Sequence, residues 1–400
     1  MNTSKTWRDY FEKATDNQKN YKLFIETAYG CHGSCQGCPL SIESRSSQQP
    51  KWELGKLDAA LKGFAPQLLE FRASKSLPAI ENLAITVGPA ENLYFTEDYL
   101  ENLAVVSKNF AGAVGAKNFH LAVSTSGLFS EQKVAPKLHA LTRHLGKHEL
   151  SFAFIVNLRQ FEKTPQHYFN FADLLFLYTD LVELEINMDV DIHSVSESTL
   201  REFARFVNQY PFIQLDFAYA INEGNQTKTY LNSSEFFDFI DTLRGMTQRA
   251  DREFFSQWHT KLKPVRDEEL DFMANFDECF ENIVSTHMRL NAMGEWHFAK
   301  NILGTIYYDQ SFNLKPLAAT NQTGMNNPFA PEAIKKFKHG LLNSFNQILT
   351  EHQACDSCEW KNVCVNSGFI SYSNFSPRNE IVCSNPGYTI FNRIAEQTTG

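Results

Sequence analysis

Between Tyr21 and Met246 the chain alternates short runs of β-branched and aromatic residues with longer stretches whose apolar positions recur every three or four residues. Short runs of the first kind fit strands, and the longer amphipathic stretches fit helices that cover them. The pattern predicts strands near Lys22–Thr27, Asn82–Val87, Asn118–Val123, Leu150–Val156, Leu181–Ile186 and Phe212–Ala218. It predicts helices over Trp52–Arg72, Glu97–Phe110, Glu131–Leu145, Ser196–Asn208 and Ser234–Thr247.

Strands alternating with helices make a parallel sheet. Six such units close only part of a barrel, so the expected fold class is α/β, a partial (β/α)6 TIM-like barrel followed by a small cysteine-rich C-terminal domain. Its active site is expected at the C-terminal ends of the strands, where the loops converge on one mouth. Those loops are Tyr29–Cys38, Gly88–Glu91, Ser124–Gly127, Asn157–Arg159, Asn187–Asp191 and Asn222–Glu223. Residues 1–20 form an N-terminal extension, 21–246 the barrel, 247–275 a charged helical connector and 276–400 the C-terminal domain. Within that domain Glu295–Phe298 and Leu303–Tyr308 resemble a hairpin, and Pro331–Leu349 an amphipathic helix.

Composition narrows the function classes. The formal charge of −9 comes with scattered Lys and Arg, so no basic stripe is present to neutralise a phosphate backbone, and nucleic acid is not an expected partner. The sequence has no apolar run long enough to span a membrane, and Met1–Asn20 is polar and charged, so a cytoplasmic protein without a membrane partner is expected. The 34 phenylalanines fall mostly at helical or strand spacing, as in Phe203, Phe206, Phe236, Phe237 and Phe239, and read as core.

The eight cysteines are clustered. Cys31, Cys35 and Cys38, with spacing x3 then x2, directly follow the first expected strand. In a long chain with no secretory signal such a cluster reads as a metal site rather than as disulfides. Three thiolates can hold three irons of a [4Fe–4S] cluster and leave the fourth iron open to a ligand. A structural zinc site, the alternative, normally wants four ligands. Gly33, Ser34 and Gly37 let the segment wrap a cluster closely.

A CxxxCxxC segment after the first strand of a partial barrel resembles the radical S-adenosylmethionine (SAM) superfamily, and the likeness covers about Tyr21 to Met246. The resemblance implies that the open iron chelates S-adenosyl-L-methionine, whose reductive cleavage yields a 5′-deoxyadenosyl radical that abstracts hydrogen from a substrate. Gly88-Pro89-Ala90-Glu91 stands in place of the family's Gly-Gly-Glu-Pro segment, and Ser124-Thr125-Ser126-Gly127 resembles its Thr-Asn-Gly turn. The resemblance thus puts Gly88, Glu91, Ser124, Thr125, Asn157, Arg159 and Asn187 among the cofactor-binding residues. Gly37 replaces the aromatic residue usual before the third cysteine.

Cys355, Cys358, Cys364 and Cys383 supply four thiolates, enough to saturate a [4Fe–4S] cluster or a zinc ion. Their spacing resembles the distal auxiliary-cluster site of SPASM-domain radical SAM enzymes, which implies a second [4Fe–4S] cluster. Ala299 and Gly368 stand where the resemblance expects further cysteines, so Cys279 reads as a buried remnant. Asp189, Asp191 and His193, and His287, Glu295 and His297, are polar residues near the expected mouth and the barrel–tail junction, and none is assigned as a base. The resemblance implies a peptide or protein substrate, modified by oxidation or cross-linking, and an electron donor such as flavodoxin or ferredoxin. With thirty residues ahead of Cys31, substrate recognition is expected to use a separate protein or the barrel mouth. The alternatives are the same chemistry on a small molecule such as a sugar or nucleotide derivative, and a non-catalytic iron–sulfur electron carrier.

Overall fold

A computed structural model gives the fold; it describes residues 17–28, 52–88, 90–146, 148–178, 182–189, 195–218, 233–248, 284–292, 294–298, 306–308, 314–316, 327–339 and 342. The barrel strands are β1 (Asn20–Glu26), β2 (Asn82–Gly88), β3 (Asn118–Thr125), β4 (Leu150–Asn157), β5 (Val182–Asp189) and β6 (Gln214–Ala218). They pair in parallel and in chain order, β1 to β6. The helices are α1 (Leu54–Ser74), α2 (Glu97–Ala113), α3 (Glu131–Thr142), α4 (Leu158–Lys163), α5 (Pro165–Phe176), α6 (Glu197–Gln209) and α7 (Ser233–Met246). The expected partial (β/α)6 barrel is therefore the observed architecture.

The period of two in the strands sorts the residues of this sheet. Tyr21, Leu23 and Ile25, Leu83, Ile85 and Val87, Leu121 and Val123, and Phe152, Phe154 and Val156 are all buried in one continuous core with the helices. Residues of the opposite phase are mostly small or polar, Phe24 on β1 and Ile155 on β4 being the large apolar members: Ala84 and Gly88 on β2, His120, Ala122 and Ser124 on β3, Ser151, Ala153 and Asn157 on β4. That phase faces the barrel interior. A parallel strand covered on one face by helices and open on the other should show this alternation.

Helix starts follow local chemistry. The Thr96 hydroxyl accepts from the amide of Tyr99 at 3.3 Å, with Glu97 and Asp98 in the first turn of α2, and Ser196 caps α6 through the amide of Thr199 at 3.2 Å. At the bottom of the barrel the first residues of three strands form a side-chain ladder. Asn118 donates to Asn82 and Asn82 to Asn20, each at 2.7 Å. Phe203 and Phe206 are fully buried and pack with Phe161, so these phenylalanines are core, as their spacing suggested; the side chains of Phe236 and Phe237 lie outside the described residues.

The C-terminal part adds to this sheet. Strand β7 (His287–Leu290) pairs in parallel with β1, and β8 (Trp296–Phe298) pairs antiparallel with β7 across a turn at Gly294, whose φ is +86°. The expected hairpin of Glu295–Phe298 with Leu303–Tyr308 is not the observed pairing. Strand β8 takes β7 instead, and β9 (Ile306–Tyr308) pairs with β10 (Leu314–Pro316) in a separate two-stranded sheet. The turn explains the choice: Asn291 closes it with backbone and side-chain bonds to Glu295, at 3.0 and 2.8 Å. Residues 331–339 are helical, within the expected helix. The connector 249–283 lies outside the described residues.

Two contacts dock this hairpin. Trp296 stacks on Phe64 of α1 with centroids 3.9 Å apart. The buried guanidinium of Arg72, in the last turn of α1, donates to Ser285 O at 2.5 Å and Pro78 O at 2.7 Å and also reaches Gln18 O. One cation thus ties the lead-in of β1 to the lead-in of β7. Arg72→Met keeps the stem and leaves these buried carbonyls without that donor, so it should cost about 3 kcal/mol in urea unfolding. A loss below about 0.5 kcal/mol would show that the clamp is incidental.

Burial holds His120 neutral, with a pKa lowered to about 3. Its Nδ1–H donates to His148 O at 2.8 Å, which leaves Nε2 to accept from the Ser151 hydroxyl at 2.7 Å. The unfolded chain binds a proton there below about 6.5, the folded chain only near 3. This contribution to stability is present above pH 6.5 and is lost as pH falls toward 3. His120→Gln should reduce the pH slope of unfolding in that window by up to about 1.4 kcal/mol per pH unit, read from urea titrations at stepped pH. An unchanged slope would refute the assignment.

Candidate functional site

The C-terminal ends of β1 to β4 meet in a mouth whose polar groups are held by one side chain that the sequence reading did not single out. Asn92 follows β2 and is fully buried. Its amide nitrogen is shared among Val87 O at 3.2 Å, Ala90 O at 2.9 Å and Ser124 O at 2.9 Å. Its oxygen accepts from the Thr27 hydroxyl at 2.6 Å. The loops after β1, β2 and β3 are thereby joined at a single residue.

Glu91, beside it, is also buried. Its carboxylate accepts from the amide and hydroxyl of Ser126, both at 2.6 Å, and from the amide of Leu93 at 3.2 Å. Burial raises its pKa, and the bonds from Ser126, Thr125 and Leu93 oppose that rise. From α3, Lys137 donates to Leu93 O at 2.5 Å and to Phe95 O, and burial lowers its pKa. These groups make the rim behind β2 and β3 a closed polar network.

The candidate residues divide by strand phase. Gly88 and Ser124 lie on the interior face: a Cβ at Gly88 would stand 2.5 Å from Ser124 Oγ and 3.7 Å from the Phe24 ring. Glycine there is what lets Ser124 and Phe24 approach. Thr125 has the opposite phase, and its hydroxyl accepts from the amide of Gly127 at 3.1 Å. Gly127 has φ +68°, and a Cβ on it would strike Phe154 at 2.3 Å. Asn157 caps α4, accepting from the amides of Arg159 at 3.0 Å and Gln160 at 3.3 Å. Arg159 is half-buried in the first turn of α4, and Asn187 occupies the β5 position opposite Ile155 and Asp216. Asp189, opposite Asn157 and Ala218, is at the same level of the rim.

A second group missed by the sequence reading borders β1. Glu26, the last residue of that strand, forms a buried ion pair with Arg289 of β7, whose guanidinium lies 5.5 Å from the Phe24 ring centre. The alternation His287-Met288-Arg289-Leu290, with Met288 and Leu290 buried, was the available signal. Burial lowers the pKa of His287 to about 3, with Lys22 adding to the effect, so this half-buried residue is neutral.

Cys31, Cys35, Cys38, Cys279, Cys355, Cys358, Cys364 and Cys383 lie outside the described residues, as do Asp191, His193 and Asn222–Glu223. Both ends of the segment that carries the first three cysteines are described. Trp52 N donates to Thr27 O at 3.0 Å, so the chain leaves β1 at the mouth and returns to the same point. Cys31, Cys35 and Cys38 fall in sequence between these two ends, and three thiolates are a donor set that fits a [4Fe–4S] cluster with one open iron.

Replacing Asn92 by leucine preserves its size and strips the mouth of four hydrogen bonds. Asn92→Leu should cost about 3 kcal/mol in urea unfolding and open the loops at 88–92 and 124–130 to limited proteolysis. A variant as stable and as resistant as the parent would show that the loops hold their places without it.

No family model matches the sequence, and no curated protein matches it. Among the described residues no helix is long and apolar enough to cross a membrane. Solved structures do match. A hexahistidine-tagged anSMEcpe with bound AdoMet is 13% identical, with a TM-score of 0.53 over 95% of this chain and 97% of that one. Native anSMEcpe with bound AdoMet gives 0.54 at 13% identity, and native anSMEcpe with bound AdoMet and the Cp18Cys peptide gives 0.52 at 12%, both over the same shares of the two chains. The chain shares the partial-barrel fold of anSMEcpe, an anaerobic sulfatase-maturating enzyme.

Proposed function

We propose that the chain is a radical SAM enzyme that acts on a peptide or protein side chain. The reading is supported by the spacing Cys31-x3-Cys35-x2-Cys38 in the sequence between Thr27 and Trp52, two residues that are joined at the C-terminal mouth of a partial barrel. Support comes from a fold shared with structures that hold AdoMet, one of them with a peptide. When bound, a three-cysteine [4Fe–4S] cluster supplies the electron that cleaves AdoMet to methionine and a hydrogen-abstracting 5′-deoxyadenosyl radical.

The chain's own residues do the rest. Cys31, Cys35 and Cys38 hold the cluster. Gly88 and Ser124 face the interior and line the place for AdoMet, with Asn157, Arg159 and Asn187 on the following strands and loops. Glu91 and Thr125 act from behind, fixing the backbone of the rim. Ala84, Ala122 and Ala153 leave the interior face low, so that a substrate has room beside the reacting carbon. Surrounding side chains exclude water, which protects a radical from quenching.

Cys355, Cys358, Cys364 and Cys383 hold a second [4Fe–4S] cluster in this reading. With four thiolates it has no open iron, and it serves electron transfer. A flavodoxin or ferredoxin is the electron donor, the compartment is cytoplasmic, and neither nucleic acid nor membrane is a partner. A separate protein recognises the peptide, or the mouth does so itself.

Anaerobically reconstituted protein should contain about eight irons per chain and, with dithionite, convert AdoMet to 5′-deoxyadenosine and methionine. Alanine at Cys31, Cys35 and Cys38 together should abolish that product and halve the iron. Product from the triple variant, or none from fully loaded parent protein, would overturn the reading; about four irons with one zinc would overturn the assignment of the second site.

A further inference from the structure

We propose that Arg289, from the C-terminal part of the chain, is a positioning residue for the cysteine segment that follows β1. The inference rests on reading Cys31, Cys35 and Cys38 as cluster ligands, and its geometry is independent of that reading.

Strand β7 pairs with β1 only from Lys22 to Ile25. Glu26 lies one residue beyond this ladder and five residues before Cys31. On its other side Glu26 is in register with Gly88 of β2. On the β7 side a side chain takes over where the backbone pairing stops. Arg289, opposite Phe24 in register, reaches past it to pair with the Glu26 carboxylate, and both side chains are nearly buried, at 11% and 5% exposure. The same hairpin holds the far end of the segment, because Trp52 donates its indole N–H to Asn291 O at 3.1 Å. Trp52 N in turn donates to Thr27 O. Residues 287–298 therefore grip both ends of the segment that bears the three cysteines.

The apolar contacts of the hairpin do not require this ion pair. Met288 and Leu290 bury on the opposite phase of β7, and Trp296 stacks on Phe64. What the pair adds is a charge-assisted contact at the last fixed residue before the segment, in a place too dry for water to substitute. Its loss should therefore loosen the junction of Thr27 with Trp52 more than the sheet as a whole.

Hydrogen exchange of the metal-free full chain tests this. Arg289→Met and, with shape kept, Glu26→Gln should each speed exchange in peptides spanning Thr27 and Trp52 at least tenfold. Peptides from β3 and β4 should stay unchanged. Arg289→Lys, which can still pair with Glu26, should exchange within threefold of the parent, and that contrast with Arg289→Met, which fills similar space without the charge, is what a mere space-filling role would not give. In the reconstituted holoenzyme Arg289→Met should lower 5′-deoxyadenosine formation per bound iron at least tenfold. Unchanged exchange at Thr27 and Trp52, or equal acceleration across β3 and β4, would overturn the proposal. If Arg289→Met does not fold, Glu26→Gln carries the same comparison. Should the parent protein form no 5′-deoxyadenosine, the catalytic reading fails, while the exchange pattern still decides whether Arg289 holds the segment.

Discussion

An open barrel has a problem that a closed one lacks: its first strand presents an unpaired edge. In this chain that edge belongs to β1, the strand from which the cysteine segment departs. A bare edge invites pairing with another chain and leaves backbone groups wet. Strand β7 covers it, and much of the docking chemistry secures that cover: the Arg72 clamp on the two lead-ins, the Trp296–Phe64 stack, and the Glu26–Arg289 pair. The β7–β8 hairpin is thus built into the wall of the barrel beside the mouth.

The barrel was legible because its strands have one dry face. A strand such as Leu150–Asn157 must put Phe152, Phe154 and Val156 against helices, and no other register buries them. Strand and helix positions followed from that constraint, with boundaries shifted by a few residues. The stretch containing α4 and α5 was not assigned, because its aromatic and aliphatic residues fall on several faces and it is broken into two short helices at Thr164, with Pro165 opening the second. Such a segment shows neither a clean period nor one terminus. The pairing of β8 failed for another reason. The pattern offered Leu303–Tyr308 as the partner, whereas His287–Leu290 took that place, and the choice was made by the side chain of Asn291 closing the Gly294 turn.

At the mouth, the motifs located residues at the ends of the strands but not how they are engaged. Gly88 and Ser124 were named from their loops, and the structure places both on the interior face. Thr125 and Glu91 were named on the same grounds, yet each is turned into the rim. A shift of one residue along a strand reverses the face, so adjacent members of one motif can have opposite duties. Asn92 and Arg289 escaped notice since their partners are far away in sequence: Thr27 is 65 positions from Asn92. Long-range hydrogen bonds and ion pairs leave no periodic trace.

A fold shared at 13% identity preserves where strands end, not which side chains meet there. The contacts that hold this mouth therefore have to be this chain's own. Asn92 is the case in point. It takes the position after Glu91 and uses an amide to bind three carbonyls and a hydroxyl, so the loops are fixed by hydrogen bonds rather than by backbone restriction. Glu91 and Lys137 extend the network behind it, Glu91 accepting from the amide and hydroxyl of Ser126 and Lys137 donating to Leu93 O. A network of this kind is rigid only while every member is paired, because each unpaired buried group would incur its full desolvation cost. Rigidity at the rim suits the proposed function, since hydrogen abstraction requires that the target C–H bond meet a radical at contact distance and that water stay out. In the proposed function Glu91 and Thr125, which sequence reading assigns to binding, therefore serve by holding still the backbone of the rim rather than by touching a ligand.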